Sequence, residues 1–427
     1  MNRAPLLAFL VVAAVAVGGG ALIASAMSGT SHPIAAGSSA GANGQLPGSS
    51  GAQASVGPVG SAAPGASGSG SPGLPGQSSG PGASPTATPA PTPKPTPALV
   101  PAPLTGRLVT RAVAAQRPIA VMIDDLSPAR PQSGFSAASI VWQAPAEGGI
   151  PRYMMIFQDT VPAAVGPVRS SRYYFIAWAA EWRAAYAHAG GSPQALTTLR
   201  YQGHGQLVYN IEGLAYGPPE FVRITSRFAP HNLYTSGKEL RVLAKAVGAP
   251  NANSANPPPP VWQFAPDVPI GQRPTSGHIE VVYPANVIDY SYDRSTNTYL
   301  RSVSSGQPEK DAVTGQRVAP KNVVIMLMHF GPLNDGNPAK GRLEAQVTGS
   351  GTAWIATDGR TIKGTWVKKS LTSPTLFRNA AGKPVTLTVG QTFIQVLPYG
   401  SSITIKDGKV PPAPKPNLHT GPRLIPL

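Results

Sequence analysis

The stretch RPIAVMIDDLSPARPQSGFSAASIVWQAPAEGGIPRYMMIF, residues 117–157, contains three short apolar runs separated by polar segments rich in Pro and Gly. The runs Ile119–Ile123, Ser139–Gln143 and Tyr153–Phe157 are rich in β-branched and aromatic residues. Such runs, bounded by turn-forming residues, are typical of buried strands. We therefore predict that this stretch supplies strands to the folded core of the protein.

A helix is predicted directly after these strands. Residues 172–187 read RYYFIAWAAEWRAAYA, and Ser170 or Ser171 can cap the N-terminus of that helix. The two Trp residues and the last Tyr are spaced by four, which favours packing in the core over a sugar-stacking face. This is the longest helix predicted within the folded region.

Two more helices complete the first folded region. They are predicted at Pro193–Gln202, where Pro fits the first helical position, and at Lys238–Val247, which ends before a Gly. Strands and helices mixed in this way indicate an α/β domain over residues 106–250. The Pro-rich segment NANSANPPPP, residues 251–260, reads as a linker.

A smaller, β-rich domain is predicted over residues 261–410, followed by a Pro-rich tail at 411–427. Asp358-Gly359 has the composition of a tight hairpin turn. The fold class predicted for the whole chain is therefore α+β. The candidate strands of the second domain are His278–Tyr283, Thr298–Val303, Val323–His329, Leu343–Thr348, Ala353–Thr357, Thr361–Val367, Val385–Val389 and Thr392–Leu397.

Residues 1–27 form a signal peptide or a membrane anchor. The run Pro5–Met27 has no charge and is long enough to span a bilayer, and Arg3 precedes it. Ala24-Ser25-Ala26 also offers a cleavage site of small residues. Either outcome exports the rest of the chain, which would be secreted if the signal is cleaved.

Residues 28–105 are mostly Gly, Pro, Ala, Ser and Thr, with no aromatic side chain. We expect a disordered tether that stiffens toward polyproline II over Pro85–Pro103. A long tether after an apolar segment favours retention in the membrane. The predicted location is thus the cell membrane, with a single span through residues 5–27, the N-terminus inside and the folded domains extracytoplasmic.

The chain of 427 residues carries a formal charge of +16 and has no cysteine. The missing cysteine excludes disulfides, thiol nucleophiles and cysteine-ligated metal sites. Before residue 105 the only charged side chains are Arg3 and Lys94, so the positive charge belongs to the folded region. Because that region is exported, we expect an anionic envelope polymer or lipid rather than nucleic acid as its partner.

Acidic residues lie at two places in the first domain. Asp124 and Asp125 directly follow a predicted strand, where carboxylates often contact ligands in α/β folds. They could hold a divalent metal or act as a base, or they could simply start the turn that follows. Glu147, which precedes two Gly residues, could pair with Arg152, or both side chains could face a ligand.

The segment Gly166–Arg172 contains the pattern of an anion site. Arg169, Ser170, Ser171 and Arg172 place two guanidinium groups and two hydroxyls at the start of the predicted helix. Arg binds phosphate or carboxylate through two parallel hydrogen bonds, and a helix N-terminus favours negative charge. The alternative is a capped helix whose arginines pair with the nearby carboxylates.

His188 and His231 are the histidines for which a role can be proposed. Neither lies in a metal-binding spacing such as HExxH. Together with Asp124, Asp125 and Glu147 they could form a metal site or an acid–base pair. The alternative is that both are hydrogen-bonded, partly buried side chains. The sequence leaves the cofactor unknown, and a divalent metal is expected only under this catalytic hypothesis.

Several long motifs resemble the YerB-like family of bacterial lipoproteins, which is built from N- and C-terminal domains of unknown function. The resemblance covers about residues 107–400 and implies an envelope location and a two-domain build, but no activity. The motifs that carry it are residues 117–153, VGPVRSSRYYFI (165–176), HAGGSPQAL (188–196), APHNLYT (229–235), GTAWIATDGRTIKGTWVK (351–368) and LTVGQTFIQVLP (387–398).

Two departures from the family pattern affect the interpretation. Many relatives carry a lipid on a cysteine, which this chain lacks, so its apolar segment would have to provide the anchor. The position after the second strand commonly reads Tyr-Glu in the family, whereas this chain has Trp142-Gln143. A role for a carboxylate at that place is therefore not expected here.

Three functions are compatible with these observations. The first is a membrane-tethered binding protein that holds an anionic or glycan polymer of the envelope through Arg152, Arg169, Ser170, Ser171 and Arg172. The second is a metal-assisted hydrolase of such a polymer, with candidate catalytic residues Asp124, Asp125, Glu147, His188 and His231. The third is a scaffold for other envelope proteins.

Overall fold

Two sheets, of ten and five strands, dominate the part of the chain described by the computed structural model, residues 98–304 and 306–412. Four two-stranded sheets accompany them. In chain order the strands are β1 (Leu99–Pro101), β2 (Leu108–Thr110), β3 (Ile119–Asp124), β4 (Ile140–Pro145), β5 (Pro151–Phe157), β6 (Ala185–His188), β7 (Tyr209–Glu212), β8 (Val222–Arg223), β9 (Leu233–Tyr234), β10 (Gln263–Ala265), β11 (Gly277–Tyr283), β12 (Asn286–Asp293), β13 (Thr298–Val303), β14 (Gln307–Pro308), β15 (Asn322–Met328), β16 (Phe330–Pro332), β17 (Leu343–Ala345), β18 (Gly349–Thr357), β19 (Arg360–Lys368), β20 (Leu376–Asn379), β21 (Thr386–Thr388), β22 (Thr392–Pro398) and β23 (Ile403–Asp407).

The helices are short, and two of them begin with a capping serine. Ser192 accepts a hydrogen bond from the backbone of Ala195, and Ser236 accepts one from Glu239. Both satisfy backbone N–H groups that a helix start otherwise leaves unpaired. The α-helices are α1 (Arg111–Ala114), α2 (Tyr173–Ala179), α3 (Pro193–Gln202) and α4 (Gly237–Ala246).

The large sheet joins both predicted domains. Its strands lie in the order β20-β19-β18-β15-β22-β4-β5-β3-β6-β7. At its centre β22 pairs in parallel with β4, with Thr392 opposite Ile140. The ranges 106–250 and 261–410 therefore contribute to one continuous sheet, and the predicted α+β class is confirmed.

Both faces of this sheet are covered, which explains why its central strands are apolar throughout. Along β3, Ala120 and Met122 belong to a core that includes residues of α2 and α3. The alternate residues Val121 and Ile123 belong to a second core. That second core includes residues of α4 and of the five-stranded sheet, whose order is β14-β13-β12-β11-β23. Strands buried on both faces read as continuous apolar runs rather than alternating ones.

The predicted helix at 172–187 is wrong in its second half. The α-helix ends at Ala179, a 3₁₀ turn follows over Ala180–Trp182, and Arg183 takes a left-handed conformation with φ 43°. Residues 185–188 then form β6, which is fully buried between β3 and β7. Pairing on both edges and burial on both faces outweigh the high helix propensity of this Ala-rich segment.

The predicted tether extends too far toward the folded region. Within 98–105, β1 pairs with β2, and Ala102, Leu104 and Thr105 are fully buried. Residues 98–105 are therefore part of the folded region. The predicted anchor at 5–27, the rest of the tether and the tail beyond residue 412 lie outside the described residues. Within the described ranges, no helix combines the length and the apolar character that crossing a bilayer requires.

Most of the other predicted elements are confirmed within one or two residues. The three strands of the opening stretch appear as β3, β4 and β5. The hairpin turn at Asp358-Gly359 joins β18 to β19, and both residues have positive φ, at 51° and 73°. Two predicted strands, Leu343–Thr348 and Val385–Val389, are shorter in the structure.

Candidate functional site

The two adjacent aspartates at the end of β3 point to opposite sides of the large sheet. Asp124 pairs in register with Arg152 of β5 and shares its face with the core around α2. Asp125 instead bonds Gln143 and Arg130 on the other face. Successive side chains of a strand alternate between faces, so the two carboxylates cannot act together on one metal or one substrate.

Asp124 is buried and makes contacts from three directions. Its Oδ2 atom lies 2.7 Å from His231 Nδ1 and 3.0 Å from Arg169 Nε, and its Oδ1 accepts a hydrogen bond from the backbone of Leu126. The Arg169 contact is an ion pair without hydrogen-bond geometry, because Nε has no hydrogen-bond partner. Asp124 therefore joins two of the predicted site residues, Arg169 and His231.

Glu147 holds the other two arginines. Arg172 contacts it through Nε at 3.0 Å and through a second, parallel contact from the same guanidinium. Arg152 Nη2 lies 3.6 Å from Glu147 Oε2, while Arg152 Nη1 donates to the carbonyl of Ser170. Burial lowers the pKa of Arg152 and of Arg172 from its ordinary value, although arginine stays charged at neutral pH.

The charges of this cluster do not balance. Three guanidinium groups, of Arg152, Arg169 and Arg172, face two carboxylates, of Asp124 and Glu147. One positive charge therefore has no carboxylate partner within the cluster. Burial is the largest cause of the lowered pKa of each of these three arginines. A surplus guanidinium in such surroundings favours an anion as partner.

The serine cap predicted for this helix is wrong. Arg172 rather than a serine occupies the N-cap position, and no side chain caps the helix. The buried Ser171 hydroxyl lies 2.7 Å from the hydroxyl of Tyr186. Of the four residues predicted there, Arg169 and Ser170 line a cavity, whereas Ser171 and Arg172 are engaged inside the protein.

That cavity has a volume of about 260 Å³ and lies beside the carboxyl ends of β3 and β6. Backbone bonds from Arg169 N to Met122 O and from Ala189 N to Arg169 O fix the segment that carries Arg169. Apart from its ion pair with Asp124, the Arg169 guanidinium has no hydrogen-bond partner among the described residues, and the side chain is one-fifth exposed. A second arginine, Arg223, also lines the cavity. We call this space the Arg169 cavity.

His188 belongs to the same edge of the sheet but contacts different partners. Its Nδ1 lies 2.8 Å from the carbonyl oxygen of Gly190, and its Nε2 lies 2.8 Å from Asn210 Oδ1. Glu212 is near the same ring at 3.5 Å. The ring is buried and both nitrogens are satisfied, so His188 positions the 188–192 loop and is not free to act on a ligand.

A second polar cluster, which the sequence did not indicate, fills the space on the other face of the sheet. Arg301 is fully buried and donates to Glu309, Gln143, Tyr153 and Tyr290. Gln143 in turn donates to Asp125 at 2.6 Å. Burial raises the pKa of Asp125 to about 6, against the opposing charge of Arg130. The sequence does not indicate this cluster because its members are far apart along the chain. Arg301 and Glu309 come from the second half of the chain, whereas Gln143 and Tyr153 come from the first.

The five predicted metal ligands do not converge on one place, but another group could hold a cation. Of the five candidates, Asp124 and His231 are in contact, and the others face different partners. Within the described ranges, the one group with ligand atoms close enough for a metal is His278, Glu280 and Asp289, on β11 and β12. Lys406 lies opposite His278 on β23 and adds a competing positive charge. The alternation of polar and apolar residues along β11 is the signal that marks this exposed face.

Comparison with known proteins places the chain in a family. Residues 104–249 match the N-terminal domain and residues 279–394 the C-terminal domain of the protein family of unknown function DUF3048. The chain is 30% identical over 310 residues to the "Putative lipoprotein YerB" of Bacillus subtilis (strain 168), covering 72% of this chain and 88% of that protein. The crystal structure of the YerB protein from Bacillus subtilis superposes with a TM-score of 0.62 at 29% identity, covering 71% of this chain and 99% of that one. The resemblance inferred from the motifs is thus confirmed. Both matched domains and the YerB-like fold show that the chain belongs to the DUF3048 family.

Proposed function

We propose that this protein is an extracytoplasmic, membrane-tethered protein of the cell envelope that binds an acidic polymer. The binding site is the Arg169 cavity, and the group recognised is a phosphate or carboxylate of the polymer. The single observation that carries the proposal is that Arg169 lines this cavity and, apart from its ion pair with Asp124, has no hydrogen-bond partner for its guanidinium among the described residues. Its neighbours hold a surplus of positive charge.

The surroundings of Arg169 support a binding role over a purely structural one. Asp124, which is itself held by His231, anchors the inner side of the guanidinium, so little side-chain entropy is lost when an anion binds. Arg223 supplies a second positive charge on the cavity wall, although one of its nitrogens donates to Asn232. Two arginines around a small cavity suit one acidic group at a time, as a repeating polymer would present.

The proposed location rests on the relative and on the sequence. The relative from Bacillus subtilis is described as a lipoprotein, which implies attachment to the outer face of a membrane. This chain has no cysteine to carry a lipid. We therefore infer that Pro5–Met27 replaces the lipid as the anchor and that residues 28–97 act as the tether.

The two alternative functions have less support. Metal-assisted hydrolysis would need at least three converging ligands, and of its five candidates only Asp124 and His231 are in contact. Metal analysis of the purified protein, with turnover of envelope polymers measured with and without chelator, tests this alternative. The scaffold function is tested by co-purification of other envelope proteins.

The binding proposal is tested by pull-down of the full-length, detergent-solubilised protein with purified anionic wall polymer. Arg169→Gln removes the positive charge and the two-pronged guanidinium, while Asp124 keeps His231 and Leu126 as partners. Arg200→Gln, on the exposed side of α3, is the matched control because it changes the net charge equally. We expect about a tenfold loss of affinity for Arg169→Gln and none for the control, since one charge-assisted contact contributes about 1.5 kcal/mol or more. Equal binding by both variants would show that the attraction is a general effect of net charge.

A further inference from the structure

A second cavity adjoins the Arg169 cavity and is formed largely by the segment between β7 and β8. Its volume is about 360 Å³, within the size range of small-molecule sites, against about 260 Å³ for the Arg169 cavity. Leu214, Arg223 and Leu233 line both spaces. The two cavities therefore share a wall, and a ligand bound in one can extend into the other. We call the second space the Tyr216 cavity, after an aromatic residue that lines it.

The wall that the two cavities share is open to solvent and positively charged. Leu214 is 57% exposed, and Arg223 is exposed as well, so a ligand can reach both side chains. Arg223 Nη1 donates to Asn232 Oδ1 at 2.8 Å, but no carboxylate of the described residues pairs with this guanidinium. None of the described residues that line the two cavities is acidic. The shared wall thus favours a ligand that carries negative charge.

Tyr216 provides a flat aromatic surface in the second cavity. Its half-buried ring stacks on Phe221, with the ring centroids 6.3 Å apart and the planes inclined by 22°. Phe221 is only 2% exposed. It packs closely over Gly213, where an added Cβ would lie 2.8 Å from the Phe221 ring. Because a buried neighbour supports the Tyr216 ring, little side-chain freedom is lost when a ligand packs on it.

A pyranose ring has the chemistry that this cavity can recognise. Its C–H faces are apolar and pack against the electron-rich face of an aromatic ring. Its hydroxyl groups need hydrogen-bond partners. Two lining residues, Tyr216 and Gly217, have backbone N–H groups that donate no hydrogen bond to another described residue. An alkyl chain would use the apolar surface but would leave these N–H groups and Arg223 without partners.

We propose that the Tyr216 cavity is a sugar-binding subsite and that the acidic polymer is therefore a glycan. One pyranose ring packs on Tyr216, while a neighbouring carboxylate or phosphate of the glycan pairs with Arg169 and Arg223. This inference rests on the function proposed above, because Arg169 binds the acidic group in both. It adds the class of the polymer, since an acidic polypeptide or a polyphosphate has no sugar ring to place in the Tyr216 cavity.

Two probes of equal length test the inference on the full-length, detergent-solubilised protein. Oligogalacturonate and oligoglutamate each carry one carboxylate per residue, but only oligogalacturonate contains pyranose rings. We expect oligogalacturonate to bind at least fivefold more tightly in isothermal titration calorimetry, because only its rings can pack on Tyr216. Equal affinities of the two probes, with Arg169→Gln weakening both, would overturn the sugar subsite and leave the acidic-polymer function standing.

Variants connect the expected preference to Tyr216. Tyr216→Leu keeps an apolar side chain on Phe221 but removes the aromatic face, so it should weaken oligogalacturonate binding about fivefold and leave oligoglutamate binding unchanged. Tyr201→Leu is the matched control, because Tyr201 is 68% exposed on α3 and lines neither cavity. It should change neither affinity.

The Arg169→Gln variant separates the two proposals. It should weaken the binding of both probes about tenfold. No effect of Arg169→Gln on either probe would refute the proposed function, and the sugar subsite with it. If Arg169→Gln has its expected effect but Tyr216→Leu, folded by its melting temperature, binds oligogalacturonate as tightly as the wild-type protein, the sugar subsite alone is refuted.

Discussion

Arg301 is the position where the structure predicts the largest effect of a single substitution on stability. Its side chain has no exposed surface and lies between the two large sheets. It donates to the carboxylate of Glu309, to the side-chain oxygen of Gln143 and to the hydroxyls of Tyr153 and Tyr290. Replacement by Met preserves most of the volume and removes every one of these donors.

The expected cost follows from what Arg301→Met leaves behind. Glu309 is 3% exposed and would keep only the hydroxyl of Tyr153 at 2.9 Å. Removing one partner of a buried ion pair costs about 3–5 kcal/mol, because the other charge stays buried without compensation. The amide oxygen of Gln143 would also lose its donor. We therefore expect Arg301→Met to lower the free energy of unfolding by about 4 kcal/mol.

The assay is urea denaturation followed by tryptophan fluorescence near neutral pH. The double variant Arg301→Met/Glu309→Gln removes the unpaired charge, so it should be more stable than Arg301→Met by about 2 kcal/mol. Arg360→Met, on the exposed part of β19, is the matched control and should change stability by less than about 0.5 kcal/mol. A cost below about 1 kcal/mol for Arg301→Met, or no recovery in the double variant, would refute the reasoning.

Two further predictions concern pH and a turn. Burial raises the pKa of Asp125 from 3.8 to about 6, so the folded state retains a proton that the unfolded chain has released. The free energy of unfolding should then fall by about 3 kcal/mol as pH rises from about 4 to 6. Asp125→Asn should abolish this fall. Urea titrations that give the same dependence of unfolding free energy on pH for the wild-type protein and this variant would contradict the prediction. At Gly359 the φ is 73° and an added Cβ would lie 2.5 Å from the ring of Tyr292. At Gly382 the φ is 74°, but an added Cβ would meet no atom within 4 Å. In thermal denaturation, the free energy of unfolding should fall by about 1 kcal/mol for Gly382→Ala and by at least twice that for Gly359→Ala. Equal losses in the two variants would be inconsistent with the close contact at Gly359.

The strands could be predicted from sequence because their apolar runs are short and bounded by turn residues. Ile119–Ile123 and Thr298–Val303 are examples from the two halves of the chain. The helix predicted at 172–187 is wrong in its second half because residues 185–188 have high helix propensity. They form a strand because they pair with β3 and β7. Neither partner is visible within a local window of sequence.

The candidate site was only partly predictable. Asp124, Arg169 and His231 were each singled out, yet their contact depends on how segments about a hundred residues apart meet. The opposite directions of Asp124 and Asp125 follow from the two-residue period of a strand and could have been inferred once β3 was predicted. The Arg301 cluster unites residues from both halves of the chain, so no local motif indicates it.

We propose that Arg169, rather than overall positive charge, binds the acidic polymer. The most direct measurement is the affinity of purified anionic wall polymer for the full-length protein and for Arg169→Gln and Arg200→Gln, with folding checked by thermal denaturation. The proposal predicts about a tenfold loss for Arg169→Gln alone, at unchanged melting temperature in the control. Equal affinities of the two folded variants would contradict it.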